Sequence, residues 1–168
     1  GTTAFPGDTV TGGEGTDTIT IAVAGTSTGA TAINAINTSG VENVYITNYD
    51  ANATGAQKTT IDTSLMTGVT TMGLTASSAN GDTIFSNVAN IVNTELRNGS
   101  GDLTITYLAT ATVGTADSAT LTVSNNTAGT FLSNGIETLT IHSELAKSTL
   151  TQVDSDAMTK LVVTGDKD

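Results

Sequence analysis

The stretch Gly12-Gly13-Glu14-Gly15-Thr16-Asp17-Thr18-Ile19-Thr20 sets three glycines, an aspartate and an aliphatic residue at the offsets of the pattern G-G-x-G-x-D-x-U-x. Glycines let the backbone curl so that its carbonyl oxygens face inward, and the aspartate carboxylate completes a set of hard oxygen donors suited to calcium. The aliphatic residue two places after the aspartate starts a short strand and anchors the turn. Half of a second copy precedes it as Gly7-Asp8-Thr9-Val10-Thr11, with Asp8 nine residues before Asp17 and Val10 nine before Ile19. The pattern stops after Ile19. A plain glycine-rich hairpin is the alternative reading of the same residues.

Further aspartates stand in turn-like positions: Asp50, Asp82, Asp102, Asp117, Asp154, Asp156 and Asp166. Solvated turn or capping roles suit most of them. Asp154 and Asp156, two apart, are the best additional calcium candidates if Asp166 or Asp168 approaches from a neighbouring segment. His142 is the sole histidine and there is no cysteine. These counts exclude disulfides, thiolate metal sites, a cysteine nucleophile and any two-histidine metal centre. No G-x-S-x-G elbow accompanies His142. Glycoside hydrolysis by paired carboxylates would call for aromatic platforms and cations, and the chain has three Tyr, three Phe, no Trp and five basic residues. The reading is a protein that is not an enzyme.

The formal net charge is −11, five basic residues against sixteen acidic ones. That balance argues against nucleic acid and against anionic membrane surfaces, both of which need clustered Lys and Arg. No apolar run approaches a membrane span. An acidic, turn-rich chain instead suits a hard cation, although acidity also serves solubility alone.

The elements that must position these residues are strands. Threonine is the commonest residue, with abundant Gly, Asn and Ser, and aromatics make up only 4%. Thr18–Ile21, Val44–Ile46, Leu103–Thr106, Thr120–Val123, Leu139–Ile141 and Leu161–Val163 alternate or run as aliphatic and threonine residues, as half-buried strands do. Turn clusters such as Asn80-Gly81-Asp82, Asn98 to Asp102 and Asn125-Asn126-Thr127 separate them. Two blocks repeat in order. Gly40-Val41-Glu42-Asn43-Val44-Tyr45-Ile46 returns as Gly135-Ile136-Glu137-Thr138-Leu139-Thr140-Ile141, and Ile61 to Thr67 returns as Val153 to Thr159. This predicts a module of roughly ninety residues starting near 40 and again near 135. It divides the chain into residues 1–20, a calcium turn and first strand, and residues 21–168, a Thr/Asn-rich β-repeat region. The predicted fold is all-β, a right-handed parallel β-solenoid, with an antiparallel β-sandwich as the alternative. Asp62 to Met66 and Asp154 to Met158 are each expected to form a single helical turn. Gly1 and the abrupt end at Asp168 read as cuts inside a longer protein.

Gly7 to Asp17 resembles the RTX turns of calcium-dependent bacterial S-layer proteins exported by type I secretion. The Gly-Val-Glu-Asn-Val and Gly-Ile-Glu-Thr-Leu blocks, and Lys160-Leu161-Val162-Val163-Thr164-Gly165-Asp166, resemble the Thr/Ala-rich body of the same family. The resemblance implies a structural segment of a secreted, cell-surface layer that tiles with copies of itself. Cell-surface polysaccharide would be a further partner. It implies calcium as the ligand, held by Asp8 and Asp17 through carboxylates and by Gly13 and Gly15 through backbone oxygens. An adhesin or ligand-binding module of a large RTX protein is the alternative, with Tyr45, Tyr49 and Tyr107 as candidate contacts. Rows of Thr-x-Thr would suit ice binding, but the intervals between them vary, and outward threonines on ordinary strands account for them.

Overall fold

The computed structural model describes residues 7–23, 31–50 and 58–167. They form a parallel β-solenoid without helix among the described residues. One face is a seven-stranded sheet of β2 (Thr18–Val23), β5 (Asn43–Asn48), β7 (Thr71–Thr75), β9 (Asn93–Arg97), β11 (Ser118–Ser124), β13 (Thr138–Ser143) and β15 (Lys160–Gly165). The opposing face is a six-stranded sheet of β3 (Thr31–Ile33), β6 (Thr59–Asp62), β8 (Thr83–Val88), β10 (Leu103–Tyr107), β12 (Thr130–Ser133) and β14 (Gln152–Ser155). A short third face pairs β1 (Thr9–Thr11) with β4 (Asn37–Ser39) and continues by a bridge from Thr38 to Met66. All pairings are parallel, so the antiparallel sandwich is not the fold.

Each strand stacks on its equivalent one coil earlier. Ser118 pairs with Thr138, 20 positions on, whereas Asn43 pairs with Thr71, 28 positions on. The corners absorb the difference, and the strands keep register. Inward residues therefore form ladders along the axis. Ile19, Val44, Met72, Thr94, Leu121, Ile141 and Val163 make one. Ile33, Ile61, Phe85, Ile105, Ser133 and Ser155 make another on the facing sheet. Phe85 and Phe131 are both essentially fully buried and are the bulkiest side chains sealed inside the stack among the described residues. Threonine also enters the core: Thr38, Thr59, Thr83 and Thr94 are sealed from solvent. Thr94 Oγ1 donates to the Thr120 carbonyl at 3.2 Å, which lowers the cost of burying its hydroxyl.

Where the chain leaves the larger sheet, one residue in the left-handed region makes the corner. It is Ala76 after β7, Asn98 after β9 and Asn125 after β11, with φ of 52°, 54° and 53°. Asparagine tolerates this conformation because its short polar side chain bonds locally. Asn125 Nδ2 donates to Asn98 Oδ1 at 3.1 Å, a side-chain rung between coils.

The second repeated block folds alike in both copies, but not as a helical turn. Met66 N donates to the Thr63 carbonyl at 2.9 Å, and Met158 N to the Ser155 carbonyl at 3.0 Å. Asp62 Oδ1 accepts the Ser64 amide at 3.0 Å. These tight turns follow strands that already include Asp62 and Asp154. The expected helical turns are absent because the chain re-enters extended backbone once the turn closes.

Candidate functional site

The glycine-rich turn forms the corner between β1 and β2 and packs on the coil above it. Gly12 N donates to the Ser39 carbonyl at 2.9 Å. A Cβ at Gly12 would lie 1.7 Å from Gly40 O and 2.7 Å from the Asp17 Cβ, so no side chain fits there. Gly13 and Gly15 have φ of +116° and +110°, which a side chain would strain. The glycines of the pattern thus allow a close inter-coil contact and two left-handed bends.

Asp17 closes the turn. Its carbonyl accepts the Glu42 and Asn43 amides at 3.2 and 3.0 Å, and its own amide donates to Glu42 Oε2 at 2.8 Å. Its Oδ2 is buried and meets no hydrogen-bond partner. The same arrangement recurs far along the chain. The Asp117 carbonyl accepts the Glu137 and Thr138 amides, both at 3.0 Å, and its amide donates to Glu137 Oε2 at 2.8 Å. Asp117 Oδ2 is likewise buried and unpartnered.

Comparison with the intervening coils gives the reason. At the corner before β7, the amide of Thr70, the residue in register with Asp17, donates to the Glu42 carbonyl one coil back. Asp17 and Asp117 instead turn their amides forward to the glutamate carboxylate of the next coil. The repeated Gly-Val-Glu and Gly-Ile-Glu blocks are therefore capping devices: each glutamate satisfies an amide of the coil before it. The repeat was visible in the sequence. The role of Asp117 was not, because its turn (Gly114-Thr115-Ala116-Asp117) carries one residue more between Gly and Asp than Gly15-Thr16-Asp17.

The other predicted calcium residues lie apart. Asp8 is exposed just before β1, at a different corner from Asp17, and its carbonyl accepts the Asn37 amide at 3.0 Å. Asp154 is exposed on β14. Asp156 Oδ1 accepts the Gly135 amide at 2.6 Å. Asp166 sits 3.4 Å from Lys167 Nζ, and Asp168 is outside the described residues. Among the described residues, no group of three or more His, Cys, Asp or Glu converges as a ligand cluster. At the glycine-rich corner the hard oxygens are the unpartnered Asp17 Oδ2 and the carboxylate of Glu42, whose Oε2 accepts the Asp17 amide.

Acidic residues also cap the opposite corner. Asp82 Oδ1 accepts the Asp102 amide at 3.0 Å, and Asp102 Oδ1 accepts the Thr130 amide at 2.8 Å. Burial raises the Asp82 carboxyl above its ordinary range, outweighing the Asp102 amide, and the nearby Asp102 charge adds to the rise. At Asp62 the hydrogen bond from Asn87 Nδ2, 3.0 Å, leads in holding the carboxyl low.

On the outside of the larger sheet, polar side chains join several coils. A Cβ at Gly73 would lie 2.7 Å from the Tyr45 ring, so the ring lies over that glycine, and Tyr45 Oη donates to Glu95 Oε2 at 2.9 Å. Arg97 bonds Glu95 at 2.6 Å and Glu144 at 2.7 Å. Burial pushes Tyr45 up to about 12, aided by its Glu95 bond. Burial works against the Glu95 charge, but the bonds from Arg97 and Tyr45 prevail and hold its carboxyl below the usual range. His142 is half exposed, with Nδ1 at 3.1 Å from Thr164 Oγ1. Tyr107 is buried and its hydroxyl faces the Val92 backbone, so it cannot serve as an exposed contact. Tyr49 is exposed.

No protein-family model, no curated protein and no solved structure matches this chain.

Proposed function

We propose that this chain is a structural segment of a secreted bacterial surface layer, stabilised by calcium and assembling with copies of itself. The observation that carries the reading is the buried, unpartnered Asp17 oxygen at the glycine-rich corner, beside the Glu42 carboxylate. A buried carboxylate oxygen without a donor is costly, and a hard divalent cation removes that cost. Asp17 and Glu42 would hold the ion, with backbone oxygens of Gly13 and Gly15. The ion supplies charge neutralisation and a link between coils. The continuous interior ladders suit a load-bearing rod rather than a chemical cleft.

The test is thermal unfolding in millimolar calcium and in chelator, with light scattering followed in parallel. A calcium-dependent rise in midpoint together with growth in particle size is expected. Equal midpoints and unchanged size would refute the reading. An adhesin reading draws on the outer row of Tyr45, Glu95, Arg97 and Glu144, where a cell-surface polysaccharide would lie along the coils. It predicts a monomer that binds such a glycan.

A further inference from the structure

The corner that leads into the larger sheet is held by a column of backbone bonds, and within the stack that column is interrupted at Val92. The Glu42 carbonyl receives the Thr70 and Thr71 amides, the Asp117 carbonyl those of Glu137 and Thr138, and the Glu137 carbonyl those of Thr159 and Lys160, all at 2.9 or 3.0 Å. Val92 holds the same place in its coil, one residue before the Thr71–Asn93 pair, as Thr70 is. Among the described residues no backbone amide of the next coil reaches the Val92 carbonyl. Instead the Tyr107 hydroxyl donates to that carbonyl at 3.4 Å and accepts the Val92 amide at 3.5 Å. Tyr107 belongs to β10 on the facing sheet and is buried, so its phenol crosses the interior to stand where backbone bonds stand elsewhere.

The next coil turns away from Val92. The Asp117 amide points forward to Glu137. Ser118, Ala119 and Thr120 are paired in register with β13 alone, and β11 meets β9 only from Leu121 onward. Between Tyr107 and Asp117 the chain swings outward: Leu103 pairs with Phe131, 28 positions on, against 20 from Thr83 to Leu103. Its crest carries Val113, 75% exposed, and it settles on the coil ahead, where Thr112 fills the space that a Cβ at Gly135 would need. At the other end of the same strands the two coils are fastened. The Asn98 amide donates to the Ser124 carbonyl and the Thr127 amide to the Gly99 carbonyl, both at 3.0 Å. Arg97 Nη1 reaches Glu144 Oε1 at 2.7 Å, past β11.

We infer that the junction between β9 and β11 is a hinged seam, which opens at the Val92 corner, pivots on the Asn98–Asn125 corner and is latched by Tyr107. At the Val92 corner, opening breaks two hydrogen bonds that are long by ordinary standards, so the latch is weaker than the backbone pairs it replaces. The junction of β5 with β7 has no such weak point, because its corner would have to give up both amides bound to the Glu42 carbonyl. Opening bends the stack about the fastened corner and uncovers Val92 and Ala119, both buried when the latch is closed. In a stacked architecture, where each coil touches only its neighbours, one weak junction concentrates deformation there and leaves the coils on either side rigid. The seam needs neither a metal nor a second copy, so it goes beyond the surface-layer reading and does not depend on it.

Native-state amide hydrogen exchange, read residue by residue, tests the inference. In wild type the Val92 amide should exchange about tenfold faster than that of Thr70, its equivalent two strands back in the sheet order. Tyr107→Phe leaves the Val92 amide and carbonyl without their partner and should speed Val92 about tenfold further, with Asn98 at the pivot unchanged. The chain has no cysteine, so Ala119→Cys and Val44→Cys each place a single thiol inside the stack. Adding Tyr107→Phe should raise maleimide labelling of Ala119→Cys about tenfold and leave Val44→Cys as it was. A Val92 amide as well protected as Thr70 in wild type would overturn the inference, and that comparison stands even if Tyr107→Phe does not fold. Acceleration of Asn98 to the same degree as Val92, or of both thiols alike, would also overturn it, since the stack would then loosen as a whole.

Discussion

Replacing Glu137 by alanine removes the acceptor of the Asp117 amide in the middle of the stack. In the native protein that amide reaches Glu137 Oε2 at 2.8 Å, and the Asp117 carbonyl receives two amides from the same coil. The variant keeps the carbonyl contacts and orphans the amide. A hydrogen bond to a charged acceptor contributes about 1.5–3 kcal/mol, so a loss near 2 kcal/mol is expected. For a chain of this size, that lowers the midpoint by roughly 4–8 °C. Glu137→Gln retains an oxygen acceptor and should lose less than half as much. Glu42→Ala makes the equivalent change at the first coil, where only one neighbour depends on it. In a stacked architecture its effect should be confined to fraying of β1 and β2, whereas Glu137→Ala loosens the junction between β9, β11 and β13. Thermal unfolding read by circular dichroism gives the size of the loss, and hydrogen exchange gives its place. An unchanged midpoint in Glu137→Ala, or equal exchange around β11 in both alanine variants, would refute the capping account.

Other outcomes follow from the same geometry. Ala76 occupies a left-handed corner that asparagine fills in the next two coils, so Ala76→Asn should stabilise by about 1 kcal/mol and raise the midpoint. A lowered midpoint would mean that the corner does not accept the rung seen between Asn98 and Asn125. The pH dependence has opposing parts. Asp62 and Glu95 are held below their ordinary values, so their contribution is present at neutral pH and is lost as pH falls through their folded values. Asp82 is raised, so its charge costs stability at neutral pH and the cost disappears on acidification. Asp82→Asn, which retains an acceptor for the Asp102 amide, should raise the midpoint at pH 7 and lose that advantage near pH 4. An advantage that persists in acid would contradict the assignment.

The strands legible in the sequence are those where Ile, Leu or Val alternate with outward threonine, as in Thr18–Ile21 and Leu103–Thr106. Others escaped because threonine also points inward. In Asn93–Arg97 the inward pair is Thr94 and Leu96, and Glu95 and Arg97 face out, so a single strong apolar residue carries the pattern. In β7 the outward centre is Gly73, left bare so that the Tyr45 ring can lie over it. Such a contact between coils has no local signature. β4 is three residues, Asn37–Ser39, with Thr38 as its inward member. The Gly-x-Glu repeat was legible, but its purpose depended on which amides lack a carbonyl one coil back. That is a property of the stacking register. Asp8 and Asp17 are equivalent in sequence spacing, yet they precede strands on different faces, because one coil here holds three short faces at its start.

The acidic corner at Asp17 is most directly tested by calorimetric titration of calcium into wild type, Asp17→Asn and Asp117→Asn. Saturable binding in wild type that is lost in Asp17→Asn and kept in Asp117→Asn would establish the glycine-rich corner as a calcium site. Binding that survives in Asp17→Asn, or none in wild type, would contradict it and leave Glu42 as a backbone cap alone.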